Sequence, residues 1–341
     1  MCGYETMDIR SISSQNLIPV IDPIHLRQSP DEFLAENGGF LSEVAVISKS
    51  SSGFVHFRSA TAPTNKQTNE FFSTFSSIAD SIGIKVYALV NGLADNFFGK
   101  NPSYSAVKDG GNLNNLFVDP FKDSYIPYLK SILDEVSNYP IQGVILDNIR
   151  FPREEYSFCE SCRRSFSTAY GIERMFSLGD IQRDTRLGPE WANWRKNRLE
   201  TILRDLTQTI TMKKEDLSIS ITMDIDPTLE GPIGALKHFG QDINVTGNFG
   251  TPIIHLSAWT PYPTSPDTPE FQTLKNNLAF VKDYKTKTQK DIDLCLWGIE
   301  DESVLPLIDS LKEVVKFKNI YIQNHWPQDY QKRREIHLGL V

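Results

Sequence analysis

Eight short apolar runs, each followed by a longer polar or amphipathic stretch, constrain the fold of this chain more than any other feature. They are LIPVID (17–22), EVAVIS (43–48), IKVYALVN (84–91), GVILD (143–147), LSISITMDI (217–225), TPIIHLSAW (251–259), DIDLCLWGI (291–299) and NIYIQNHW (319–326). Most are nearly continuous in hydrophobicity and rich in Val, Ile and Tyr. That is how a parallel strand reads when both of its faces are covered. Between them lie helical patterns at 66–82, 122–137, 190–213, 269–285 and 304–317. In the second, Ile126, Leu129, Ile132 and Leu133 recur at three- and four-residue steps and form one apolar stripe. Asp119 or Asp123 is expected to cap it, with Pro120 near its first turn.

Eight strands alternating with helices predict an α/β fold, a closed (β/α)8 barrel. An open doubly wound sheet is the alternative. It calls for a glycine-rich turn after the first strand, and IDPIHLRQSP has no glycine. The 341 residues suit one elaborated barrel, so residues 1–341 are read as a single catalytic domain. Two connections are long: 92–121 after the third strand, and 151–189 after the fourth, which carries a C-x-x-C.

The balance of 35 basic against 43 acidic side chains gives a net charge of −8. That argues against nucleic acid or an anionic membrane as partner. No apolar run reaches about 18 residues, so no membrane span is expected. MCGYETMDIR lacks a basic-then-apolar signal pattern, and a cytoplasmic protein is expected. The sequence leaves the oligomeric state open.

In a barrel the carboxyl ends of all strands face one mouth. Read in order, they supply Asp22 and His25; Lys49; Asn91; Asp147, Asn148 and Arg150; Asp224 and Asp226; His255 and Trp259; Trp297 and Glu300; Gln323, His325 and Trp326. The set is polar, acidic and aromatic. Asp147 ends a run that is otherwise buried, which puts a carboxylate at the rim of a cavity where its ionisation can be tuned. Arg150 either holds that carboxylate, grips a substrate hydroxyl, or closes the fourth loop as a structural ion pair. Trp259, Trp297 and Trp326 would stack on sugar rings or plug the barrel top.

Two carboxylates flanking one bond suffice for glycoside hydrolysis. A separation of roughly 5–5.5 Å suits direct attack, and about 6.5–9.5 Å suits an activated water. Asp147 can pair with Glu300, or with Asp224 or Asp226. Asn91, Asn148, Arg150, His255 and His325 are candidate contacts to substrate hydroxyls. Other chemistries fit less well. The last two strand ends, WGIEDES and NHWPQD, hold one glycine between them, too few for a phosphate site. There is no G-x-S-x-G elbow and no H-E-x-x-H pair. Cys159 and Cys162 make half of a structural zinc site, with no second C-x-x-C and no close histidine. Cys2 or Cys295 would have to complete it through the fold, so packed free thiols are expected and no cofactor is implied.

GVILDNIRFP, then FCESCRRSFSTAYGI, WANWRKNRLETILRDL, SISIT and FGQDI together resemble the family-10-like, or hypothetical, glycosyl-hydrolase (β/α)8 barrels. The likeness covers roughly residues 84–260. Gly143, Asp147, Arg150 and Pro152 match the fourth strand. Cys159, Cys162, Phe166, Tyr170 and Gly171 match the fourth loop. Trp191 and Arg195 match the following helix, and Gly240, Gln241 and Asp242 the segment before the sixth strand. At the sixth strand the chain departs from the pattern, with Thr251-Pro252-Ile253 and Ala258-Trp259. The resemblance implies a glycosidase acting on an oligo- or polysaccharide. By analogy with retaining barrels it implies Asp147 and Glu300 as the acid pair. A carbohydrate-binding barrel without catalysis is one rival. A metal-dependent hydrolase using His255 or His325 is another.

Overall fold

The structure, a computed structural model, describes residues 17–26, 28–173, 175–225, 231–256, 267–297 and 305–323. All eight apolar runs form strands. They are β1 (Leu17–Ile21), β2 (Glu43–Lys49), β3 (Lys85–Asn91), β6 (Gly143–Asp147), β7 (Ser218–Asp224), β8 (Thr251–His255), β9 (Asp293–Trp297) and β10 (Ile320–Gln323). Every pair in the ring is parallel, and β1 pairs with both β2 and β10, so the barrel is closed. The remaining two strands, β4 (Ser105–Val107) and β5 (Leu113–Val118), form a separate antiparallel hairpin in the long connection after β3. Its turn contains Gly110 and Gly111, both at positive φ, which glycine adopts without steric cost.

Helices cover the ring. They are α1 (Pro30–Asn37), α2 (Phe71–Ser81), α3 (Asn96–Gly99), α4 (Ile126–Val136), α5 (Glu160–Tyr170), α6 (Leu178–Arg183), α7 (Leu187–Lys213), α8 (Ile243–Phe249), α9 (Pro269–Asn277), α10 (Ala279–Thr288) and α11 (Leu305–Val314). The stripe expected on α4 is buried: Ile126, Leu129, Ile132 and Leu133 all lie in the core, joined by Val136. Each such burial stabilises by about 1.5–3 kcal/mol. The start of α4 differs from expectation. Pro127 occupies its first turn, and Asp123 precedes it in a 3-10 turn, where it accepts from Arg198 Nη2 at 2.6 Å. Asp119 is drawn into the interior instead of capping the helix. The helix expected over 269–285 is two helices with a break at Leu278.

Apolar side chains sort into an outer layer, between strands and helices, and a lumen. The lumen cluster contains Ile18, Val20, Ala45, Ile47, Leu89, Ile145, Ile253, Cys295 and Tyr321. Strand side chains alternate between faces, so the residue two further on shares the inward face. That step leads from Val20 to Asp22, from Leu89 to Asn91, from Ile145 to Asp147 and from Ile253 to His255. On β7 the inward positions are Ser220, Thr222 and Asp224, between the outward Ile219, Ile221 and Met223. The lumen is apolar at one end and polar at its carboxyl-terminal rim because β1, β3, β6 and β8 switch residue type at that step, while β7 is polar along its inward face.

The connection after β6 holds α5 and α6. It packs Phe158, Phe166, Phe176, Ile181, Leu187 and Trp191 into an apolar cluster of its own. Among the described residues no helix is long and apolar enough to cross a membrane.

Candidate functional site

The rim is built around Asp147. Its Oδ1 accepts from Thr222 Oγ1 at 2.7 Å and its Oδ2 from Asn148 Nδ2 at 2.8 Å. Asn148 Nδ2 also donates to Asn91 Oδ1 at 2.6 Å, and the Asn148 backbone N–H donates to Thr222 Oγ1 at 3.2 Å. Asn148 adopts φ +53°, a left-handed conformation that asparagine tolerates better than most residues. The chain turns there directly off β6, so the amide folds back over the carboxylate. Register places Asn91 beside Asp147 across the β3–β6 pair, and Asp224 beside His255 across β7–β8.

Asp224 anchors a second group of charges. Arg150 Nε lies 2.7 Å from its Oδ2, and His255 Nδ1 lies 3.1 Å from its Oδ1. Burial opposes a charged imidazole at His255. The neighbouring Cys295 sulfur and the Asp224 carboxylate outweigh that and raise it well above the ordinary histidine range. The backbone N–H of Asp224 donates to Gln241 Oε1 at 2.9 Å. Gln241 Nε2 in turn donates to Thr222 O at 3.0 Å and Ile149 O at 3.3 Å. One glutamine side chain thus fixes the ends of β6 and β7 relative to each other.

Of the three roles open to Arg150, the structure shows the structural ion pair that closes the fourth loop. Its guanidinium pairs with Asp224, not Asp147. It is fully buried between the rings of Phe117 and Phe239, with Cζ 4.9 and 4.8 Å from their centroids. Nη1 donates to Phe151 O at 3.1 Å and Pro152 O at 3.0 Å. A guanidinium enclosed in this way braces the loop and is not directed at the mouth.

The matched motifs acquire physical reasons. Gly240 sits at φ +71°, and a Cβ there would meet the Phe151 ring at 2.8 Å. Asp242 caps α8 by accepting from the Asn244 N–H at 2.9 Å. Arg195 is fully buried and donates to Arg153 O at 2.7 Å, Lys237 O at 2.9 Å and His238 O at 3.0 Å.

Another buried ion pair flanks the rim. Lys49 Nζ lies 2.9 Å from Asp95 Oδ2 and donates to Asn91 O at 2.9 Å. The bulge between Ile47 and Lys49 on β2 re-aims that lysine. Tyr125 OH contacts the same Asp95 oxygen at 2.8 Å.

Asn91, Asp147, Asn148, Asp224 and His255 are therefore gathered at one rim, as the strand ends predicted. Trp297 ends β9. Asp226, Trp259, Glu300, His325 and Trp326 lie outside the described residues. Thr222, Gln241, Lys49 and Asp95 complete the rim. Of these, Lys49 was named among the strand ends, and Thr222 falls in the polar alternation Ser218, Ser220, Thr222, Asp224. Nothing local in the sequence marks Gln241 as a bridge. His255 belongs to no cluster of three metal-ligating side chains among the described residues. The one such cluster is Asp119, Cys159 and Cys162, in the loop after β6. Cys295 lies in the lumen instead, and Cys2 is outside the described residues.

A closed ring of eight parallel strands with intervening helices and a polar carboxyl-terminal rim defines the (β/α)8 barrel class. Among solved structures, the chain is similar to the PgaB (BpsB) glycoside hydrolase domain from Bordetella bronchiseptica, with a TM-score of 0.67 and 14% identity over 95% of this chain and 97% of that one. The catalytic domain of a beta-amylase from Paenibacillus polymyxa gives a TM-score of 0.62 and 10% identity, covering 94% and 98% of the two chains. An alpha-L-fucosidase isoenzyme from Paenibacillus thiaminolyticus gives 0.59 and 12%, with 96% of this chain matched to 49% of that one. At these identities the likeness establishes the fold. No protein-family model matches the chain, and no curated protein does.

Proposed function

We propose that this chain is a glycoside hydrolase-like enzyme that cleaves a glycosidic bond in an oligo- or polysaccharide, working as a single catalytic domain over residues 1–341. The observation that carries the reading is the Asp147 carboxylate. It sits at the inward end of β6 and is held by Thr222 and Asn148 through one hydrogen bond to each oxygen. That fixes its rotamer and leaves lone pairs on both oxygens for chemistry. Solved structures that share the fold are named as glycoside hydrolases, which supports the same reading.

Asp147 acts as nucleophile or electrostatic stabiliser of the oxocarbenium-like transition state, and Glu300 as general acid/base. Asp224 supports this site without sharing the acid role, because both of its oxygens are committed to Arg150 and His255. Asn91 and Asn148 orient sugar hydroxyls, and Trp259, Trp297 and Trp326 stack on sugar faces.

The test is a glycan-library turnover screen of the wild type with Asp147→Asn and Glu300→Gln alongside. Each variant loses at least about a thousandfold in kcat while its circular dichroism and melting temperature stay near wild type. Full activity in Asp147→Asn overturns the assignment. The engagement of both Asp224 oxygens gives a second reading some footing, that of a carbohydrate-binding barrel without catalysis. Glycan binding with no turnover by the wild type would favour it.

A further inference from the structure

The loop after β6 carries a group of side chains that the rim chemistry does not use. Ser157 turns the chain at φ +72°, and the Phe158 N–H donates to Val107 O at 2.9 Å, which ties the loop to β4. Cys159 then caps α5, an eleven-residue helix, and Cys162 lies in its first turn. The i, i+3 spacing at a helix start brings the two sulfurs to the same side.

Asp119 meets them from just beyond β5, with its N–H bonded to Tyr104 O at 2.8 Å. Its carboxylate is fully buried and forms no ion pair among the described residues. Oδ1 accepts from the Phe121 N–H and from Ser157 Oγ, each at 3.0 Å. Those two bonds turn Oδ2 towards the sulfurs, with Cys162 Sγ at 3.6 Å. One donor atom from each of Asp119, Cys159 and Cys162 lies within 4.8 Å of the others. Around a tetrahedral zinc with sulfur at about 2.3 Å, neighbouring ligands stand about 3.8 Å apart. Side-chain shifts on the order of an ångström close that gap.

We propose that Asp119, Cys159 and Cys162 bind one divalent zinc-class ion, which clamps the loop after β6 onto the end of the β4–β5 hairpin. Two thiolates and one carboxylate select zinc over magnesium or calcium, which prefer oxygen. Cys159 is half-buried, which leaves access for a water as fourth ligand. Phe121 N–H and Ser157 orient the carboxylate from behind, as second partners of metal ligands commonly do. The ion is structural and takes no part in glycoside chemistry, so the site stands or falls apart from that proposal.

The experiment uses the full chain, reduced and stripped with a chelator, then titrated with zinc alone against a chromophoric competitor. Expected are one zinc per chain by elemental analysis, and thiolate-to-metal absorption on cobalt substitution. A rise in melting temperature on adding zinc is expected in the wild type and not in Cys159→Ser. Ser157→Ala weakens zinc binding by about tenfold or more, as loss of a second partner does. Cys159 is partly exposed, so Cys159→Ser is checked for folding by circular dichroism, and the wild-type titration needs no variant. Failure of the wild type to take up stoichiometric zinc overturns the site. So does full zinc retention in the Cys159→Ser/Cys162→Ser double variant, or recovery of the two thiols as a disulfide from metal-replete buffer.

Discussion

His56 lies wholly inside the protein, with Nδ1 2.7 Å from Thr68 Oγ1 and Nε2 without a hydrogen-bond partner among the described residues. Burial pushes its imidazole down to about 4, and the Asp22 carboxylate offsets this only in part. In the unfolded chain a histidine titrates near 6.5. Between those values the unfolded state binds a proton that the native state refuses, so stability falls as pH drops from about 6.5 to about 4. The total loss is roughly 3 kcal/mol. Urea denaturation at pH 7, 5.5 and 4.5 should show this slope in the wild type and a shallower one in His56→Gln. Equal slopes would remove His56 from the account. At this scale the sequence was unevenly informative. Asp147 was legible because an acid closes an apolar run. The partner of Arg150 was not, since Asp224 reaches it across the β6–β7 pair from 74 positions away. Asp119 was one of two candidate helix caps, with Asp123, because a D-P step gives no hint that the side chain turns inward.

At the scale of elements, β6 begins with Gly143 because β7 leaves no room for a side chain. A Cβ at that position would stand 2.5 Å from Ser218 O and 2.0 Å from Ser218 Oγ. The serine hydroxyl can rotate away, but the carbonyl belongs to the sheet. Gly143→Ala is therefore expected to destabilise by about 1–3 kcal/mol, read from chemical denaturation. Gly39→Ala, with nothing within 4 Å of its Cβ, is the control. All eight barrel strands were visible as apolar runs, since burial on both faces leaves a continuous signature. The β4–β5 hairpin was not foreseen, although DGG (109–111) is a turn signal in its own right. Its strands, SAV and LNNLFV, are too short and too mixed to declare themselves. The single helix expected over 269–285 breaks at Leu278, which no proline or glycine marks.

At the scale of the molecule, Arg195 on α7 joins segments that are far apart in sequence. It donates to Arg153 O in the loop after β6 and to Lys237 O and His238 O before α8, and it lies 4.1 Å from the Phe151 ring centroid. Arg195→Met keeps much of the packing and leaves those carbonyls without the donor. A loss of about 3 kcal/mol is expected, with an unchanged denaturant slope. An equal midpoint in wild type and variant would refute it. Trp191 and Arg195 could be picked out in the sequence only through resemblance. Ring closure was legible as a count of strands, because eight is a number that closes. Which carboxylates meet over the mouth was not, because that depends on tilt and stagger.

The seam between β1 and β10 joins residues about 300 positions apart, Leu17 beside Ile320 and Val20 beside Gln323. While the chain is being synthesised, the β1 edge that pairs with β10 stays unfilled until β10 has emerged from the ribosome. Until then the nascent sheet is an open arc with bare backbone donors and acceptors at both ends, a template for stray strands. The barrel therefore closes only once β10 is in place, and a chaperone that shields open sheet edges would act in the interval before that.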